Sequence, residues 1–128
     1  MTLIFGGAYQ GKLAYAQSQY AVKDADIYHC NDETAADLPG DKKIINNIDQ
    51  WILAQIKAEA DIPTAITHFI NANPTAIVIC TDISCGIVPM DATMRKWRDQ
   101  VGRAMAQLSA ASDQVVRMFC GIPTKIKG

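Results

Sequence analysis

The sequence predicts an α/β fold: a mostly parallel sheet covered by helices on both faces. Three observations predict it. Strand-like and helix-like segments alternate along the chain. Residues 76–80 (AIVIC) form a continuous apolar run, as in a strand buried on both sides. The first apolar run ends in glycines and is followed at once by a helix-like segment.

The elements follow in order. Thr2 to Phe5 is a short apolar strand ending at Gly6-Gly7, and Lys12 to about Tyr20 is helical. Asp26 to His29 is a second short strand, and residues 30–42 read as a loop from Asn31, Asp32, Pro39, Gly40 and Asp41. Lys43 to Asn46 is a third strand. Ile48, Trp51, Ile52 and Ile56 then share one helix face. Pro63 suits the first turn of a further helix, whose stripe is Ile62, Ala65, Ile66, Phe69 and Ile70, and Asn73-Pro74 stops it. After the AIVIC strand, Asp82 to Pro89 is a loop. Asp91 is the expected N-cap of a long helix to about Ala111, with Met94, Trp97, Val101, Met105 and Leu108 on its apolar face. Gln114 to Cys120 is the last full strand. Gly121-Ile122-Pro123 is expected to turn the chain, with a short edge piece over Thr124 to Lys127.

A length of 128 residues corresponds to one domain, residues 1–128, with room for one hydrophobic core. Twelve Lys and Arg against 13 Asp and Glu give a net charge of -1, which argues against a general grip on nucleic acid or acidic lipid. No apolar run approaches the length of a membrane span, and no signal peptide is read at the N-terminus, so the expected location is the cytoplasm. Cys30, Cys80, Cys85 and Cys120 form no C-x-x-C pair. They read as free thiols in or beside strands, and no metal-ligating set is assigned.

Ligands of such sheets bind at the carboxyl ends of the strands. Gly6 to Leu13, Asn46 to Asp49 and Thr81 to Pro89 sit there. Gly6-Gly7-Ala8-Tyr9-Gln10-Gly11-Lys12 fits G-x-x-x-x-G-K, the phosphate-binding loop. Its backbone N–H groups and the helix N-terminus cradle phosphate oxygens, and Lys12 reaches the outer phosphates. The next position should carry a hydroxyl for magnesium, but Leu13 stands there. The other reading is a glycine-rich turn that binds nothing.

Further along come Asp82-Ile83-Ser84-Cys85-Gly86-Ile87-Val88-Pro89, then Arg95-Lys96-Trp97-Arg98-Asp99 with Gly102-Arg103, and finally Gly121-Ile122-Pro123-Thr124-Lys125-Ile126-Lys127. Together with the glycine loop, these closely resemble the adenosylcobinamide kinase / adenosylcobinamide-phosphate guanylyltransferase family of cobalamin assembly. The resemblance implies a P-loop, RecA-like, three-layer domain, and a homo-oligomer that is usually a trimer. It implies ATP or GTP as nucleotide and adenosylcobinamide as the corrinoid acceptor, phosphorylated on its aminopropanol hydroxyl. GMP transfer through a guanylyl-histidine follows in that family. Carried onto this chain, Gly6, Gly7, Ala8, Tyr9, Gln10, Gly11, Lys12 and Leu13 hold nucleotide. Lys12 steadies the transferred phosphate, and Asp82 stands near the acceptor where the family usually has Glu.

There are departures. Aligned on Trp51, the family's second acidic position is Asn46 here, which with Leu13 removes two magnesium contacts. The family's basic, His-bearing segment between the second and third strands is missing. Residues 30–42 carry Asp32, Glu33, Asp37 and Asp41 instead, with Lys42 the one base. Guanylyl transfer is therefore expected to be lost, and the kinase step is questioned. The alternatives are a catalytically inactive homologue acting as a regulatory or assembly subunit, or a repurposed fold without nucleotide.

The remaining residues carry two readings each. His29, at a strand end, is a stand-in nucleophile or, more simply, a structural or surface residue. His68 is expected to face solvent. Asp49 replaces the lost acid or caps the next helix, and capping is the simpler account. Arg95, Lys96, Arg98 and Arg103 are a solvated face or a phosphate or subunit contact. Trp51 and Trp97 are expected in the core or at an interface. Tyr9 stacks on a base or blocks the site.

Overall fold

A computed structural model describes residues 1–83 and 91–128 of the chain. The first strand, β1 (Thr2–Gly6), leads through the glycine loop into α1 (Lys12–Tyr20). A 3-10 turn (Asp24–Asp26) precedes β2 (Ile27–His29). Then come β3 (Ile44–Asn46), α2 (Ile48–Lys57), α3 (Ile62–Ala72), β4 (Ile77–Thr81), α4 (Ala92–Ala111), β5 (Gln114–Phe119) and β6 (Ile122–Lys127).

The six strands form one sheet in the order β2-β3-β4-β1-β5-β6. The first five are parallel, and β6 pairs antiparallel with β5. β4 thus lies between β3 and the strand that feeds the glycine loop. This is the P-loop, RecA-like α/β arrangement that the sequence predicts.

Successive strand residues point to opposite faces, and this divides the core in two. Leu3, Ile45, Val78, Cys80 and Val115 pack with α2, α3 and α4 through Trp51, Ile52, Ile66, Phe69, Val101 and Leu108. Ile4, Ile44, Ile77, Ile79 and Val116 face the other way and pack with α1 through Ala16 and Leu13. The apolar run of β4 is buried on both faces for this reason.

Helix boundaries follow local chemistry. Asp91 caps α4, its Oδ1 accepting the N–H groups of Thr93 and Met94 at 2.6 and 3.2 Å. Asp61 caps α3, with Pro63 in the first turn. On α4, Val101 and Leu108 are buried, as is Ala104, while Trp97 and Met105 pack at the margin of the core and Met94 is half-buried.

Some boundaries differ from the sequence expectation. Asp26 belongs to the 3-10 turn, and Lys43 and Ala76 precede their strands. The last turn is not Gly121-Ile122-Pro123. Cys120 and Gly121 form it, with φ 51° and 76°, the two left-handed residues of a tight type I′ hairpin. β6 then starts at Ile122 and tolerates Pro123 because it is an edge strand.

The parallel pair β2-β3 is joined by a crossover with no helix in it. Residues 30–43 cross the α2 face instead. Trp51 Nε1–H and Gln55 Nε2–H donate to the carbonyls of Ala36 and Ala35 at 3.0 and 2.6 Å, and Leu38 packs on the core. Lys57 pairs with Asp32 at 3.0 Å.

Among the described residues, no helix is long and apolar enough to cross a membrane.

Candidate functional site

The carboxyl ends of β1, β3 and β4 bring the candidate residues together. Gly6 ends β1 opposite Thr81 of β4 and Met118 of β5. A Cβ on Gly6 would collide with the Met118 carbonyl, so this glycine is set by the close approach of two backbones. Gly11 has φ 81° and is the left-handed N-cap of α1, a conformation glycine adopts freely. Gly7 meets neither constraint. A Cβ there would touch only the Gln10 side chain, at 3.7 Å. Two of the three glycines are therefore demanded by geometry, for different reasons.

Lys12 opens α1 and is 7 % exposed. Its Nζ donates to the Gly7 carbonyl at 2.6 Å, so the ammonium turns back into the loop. Burial lowers its pKa, while Asp49 and, less strongly, Cys80 oppose that shift. Tyr9 has φ 60° and projects fully into solvent, so its ring does not block the loop. Gln10 Oε1 accepts the Cys120 N–H at 2.5 Å and ties the loop to the β5-β6 turn. Leu13 packs against the α1-side core.

Asp82 follows β4, half-buried, and its N–H donates to the Gly6 carbonyl at 2.8 Å. It therefore lies beside the start of the glycine loop. Gly86-Ile87-Val88-Pro89 and Cys85 lie outside the described residues. Asn46 is 7 % exposed, and its Nδ2 is 3.0 Å from Nδ1 of His29 on the paired strand. His29 itself is exposed.

Asp49 departs from the capping expectation. The N-cap of α2 is Asn47, in the left-handed conformation and without a side-chain cap. The Asp49 carboxylate reaches across to β4, where Oδ1 accepts the Thr81 N–H at 2.9 Å. It is 2 % exposed, and burial raises its pKa against the pull of that N–H, Gln50 and Lys12. Trp97 of α4 donates its indole N–H to the Asp49 carbonyl at 2.7 Å. The sequence signal for this residue was weak: an acid three positions beyond Asn46, with nothing local to say which way it turns.

The three described thiols are free. Cys80 is buried in β4 and its pKa is raised well above the ordinary value by burial. Cys30 is pushed up to about 12, first by burial and then by Asp49. Cys120 is exposed.

Among the described residues, no group of three His, Cys, Asp or Glu side chains is arranged to hold a metal. The two positions that the resemblance assigns to magnesium carry Leu13, turned into the core, and Asn46, engaged with His29. These side chains do not fit a magnesium shell.

The other candidates lie elsewhere. His68 is exposed on α3, beside a cavity of about 90 Å³ that includes Asp37, Trp51 and Gln55 and shares no residue with the glycine loop. Arg95, Lys96 and Arg103 are exposed on α4, and Arg103 pairs with Asp99 at 3.1 Å, a solvated arrangement. Trp51 is in the core, 3 % exposed.

Comparison with known proteins agrees with this picture over most of the chain. Residues 42–126 match the model of the CobU family, described as cobinamide kinase / cobinamide phosphate guanyltransferase. That segment begins after the glycine loop and takes in Asn46, Asp49 and Asp82. The bifunctional adenosylcobalamin biosynthesis protein CobU of Salmonella typhimurium is 31 % identical over 84 residues, covering 64 % of this chain and 46 % of that protein. Its counterpart in Escherichia coli is 30 % identical over 93 residues, covering 71 % and 49 %. The chain spans about half the length of these curated relatives. With the family model matching from β3 to β6 on a P-loop α/β sheet, the chain belongs to the cobinamide kinase / cobinamide phosphate guanyltransferase family.

Proposed function

We propose that this protein is a single nucleotide-binding domain that holds the phosphates of ATP or GTP in the loop Gly6 to Leu13. We further propose that the activity it supports is the kinase step on a cobinamide-type corrinoid. The observation that carries the reading is Lys12: a buried lysine whose ammonium turns into a glycine loop between a strand and a helix N-terminus. A buried cation without a carboxylate in direct contact is expensive unless an anion is its working partner. In the proposed reaction the acceptor hydroxyl attacks the γ-phosphorus, the nucleoside diphosphate leaves, and the hydroxyl proton passes to a base. Lys12 steadies the transferred group, and Asp82 serves the acceptor side. The relatives' names speak of adenosylcobalamin biosynthesis, which supports the corrinoid assignment. Guanylyl transfer is not part of the proposal, because residues 30–43 hold no helix and no histidine.

Leu13 in the core and Asn46 on His29 favour a second reading: nucleotide binding without turnover, in a regulatory or assembly subunit. Family resemblance makes a homo-oligomer, a trimer, the proposed assembly, and the cytoplasm the proposed location.

The test is thermal unfolding with ATP and with GTP, each with and without magnesium, for the wild type and Lys12→Ala. A ligand at a hundred times its Kd stabilises by about 2.7 kcal/mol, a shift of several degrees in a domain of this size. A shift lost in Lys12→Ala supports the loop, and no shift at millimolar nucleotide overturns it. Corrinoid-dependent nucleoside diphosphate release then separates the kinase from the binding subunit. Restoring both side chains, Leu13→Ser with Asn46→Asp, is expected to strengthen magnesium-dependent binding.

A further inference from the structure

The phosphate-loop reading uses Lys12 and leaves a second buried charge beside it unexplained. Asp49 is 2 % exposed and its carboxylate is held in place by the Thr81 N–H at 2.9 Å and, at 3.4 Å, by Gln50. Its backbone is held as well, through the Trp97 indole on its carbonyl. Thr81 stands opposite Gly6 in the parallel pairing of β4 and β1. The Lys12 ammonium rests on the carbonyl of Gly7, one residue further on. One anchor is therefore the last rung of the β1-β4 pairing and the other is the residue that follows it, and such strands are ~4.8 Å apart. Two opposite charges on residues this buried interact more strongly than a surface pair.

We propose that Asp49 is the resident counter-charge of Lys12, a positioning residue that holds the buried ammonium at the glycine loop until a phosphate group becomes its partner. The proposal rests on the phosphate-loop reading for the identity of that second partner. The other described titratable groups around the pair are Cys80 on β4, Cys30 after β2, and Asp82 beside Cys80. Both thiols are neutral near pH 7, their pKa values raised by burial. Of the described groups acting on Lys12, Asp49 has the largest effect in keeping it charged against its burial.

Asn at position 49 keeps an acceptor for the Thr81 N–H and removes the charge. The experiment is a side-chain NMR titration of Lys12, assigned by its loss in Lys12→Arg, in the wild type, Asp49→Asn and Asp49→Glu. Tripolyphosphate binding is followed across the same pH range. The Lys12 midpoint is expected to fall in Asp49→Asn and to return in Asp49→Glu. Tripolyphosphate affinity in Asp49→Asn is expected to decline at a correspondingly lower pH, tenfold for each unit by which the midpoint moves. A role confined to the fold lowers stability and leaves the Lys12 midpoint where it was, and that result overturns the proposal. If Asp49→Asn does not fold, the coupling is read from the other side: Lys12→Met must raise the Asp49 carboxyl midpoint, and an unchanged midpoint overturns the proposal. If the wild type does not bind tripolyphosphate, the phosphate reading falls, and the two titrations still decide whether Asp49 and Lys12 are coupled.

Discussion

Replacing Gly6 by Ala tests how the glycine loop is anchored. A Cβ built on Gly6 lies well inside contact distance of the Met118 carbonyl oxygen, with the carbonyl carbon at 3.3 Å and the Met118 Cβ at 3.4 Å. The obstacle is backbone in the neighbouring strand, so no rotamer change relieves it. β1 and β5 must separate at the rung that pairs Gly6 with Met118. Overpacking of this kind costs about 1–3 kcal/mol. Ala also restricts the unfolded chain, which returns roughly 0.4–1 kcal/mol. The net expectation is a loss of about 1.3 kcal/mol. For 128 residues the unfolding entropy is roughly 0.27 kcal/mol/K, so Tm falls by about 5 °C. The assay is thermal and urea unfolding of Gly6→Ala against Gly7→Ala, whose Cβ meets only the Gln10 side chain at ordinary distance. Gly7→Ala is expected within about 0.5 kcal/mol of the wild type. Equal melting of Gly6→Ala and Gly7→Ala would refute the reasoning, because the two differ in what the added methyl strikes.

Four further outcomes follow from the same structure. Gly11→Ala has open space around its Cβ but retains φ 81°, so it is expected to lose about 1 kcal/mol through backbone strain alone, read by the same unfolding assay. Asp91→Ala removes the acceptor for two N–H groups of α4 and is expected to cost about 1 kcal/mol, lowering Tm by about 3–4 °C; an unchanged Tm refutes the cap. In a Cys85→Ser background, iodoacetamide is expected to label Cys120 first and to spare Cys30 and Cys80 until the protein unfolds. The Cys30 thiol titrates near 9 when unfolded and at about 12 when folded. The unfolded chain therefore releases that proton first, and stability is expected to fall as pH rises from 9 towards 12. Cys30→Ser is expected to flatten that decline, and an unchanged slope counts against the buried thiol.

Much of the local structure is legible in the residues. The glycines before Lys12, the apolar run of β4, the stop at Asn73-Pro74 and the Asp91 cap each act on their immediate neighbours in the chain, so pattern suffices to place them. The sequence pattern places the β5-β6 turn one step late, because Gly121 and Pro123 are both turn residues and only the positive φ of Cys120 shows which pair bends. Residues 30–42 read as a loop, and they are one. That this loop replaces a crossover helix by hanging on Trp51 and Gln55 depends on groups far along the chain.

The sequence by itself determined the fold class, the family and the place of the glycine loop, since each rests on periodicity or on motifs of contiguous residues. Tertiary structure decided the strand order, and with it what stands around Lys12. Asp49 lies 37 positions from Lys12 in the chain and meets its field only because β4 carries Thr81 between the two. In the same way Asn46 finds His29 across a strand pairing, and Gly6 is held to glycine by Met118, 112 residues away. Charge, hydrogen bonding and steric contact act through space, and no spacing along the chain encodes which strands will lie side by side.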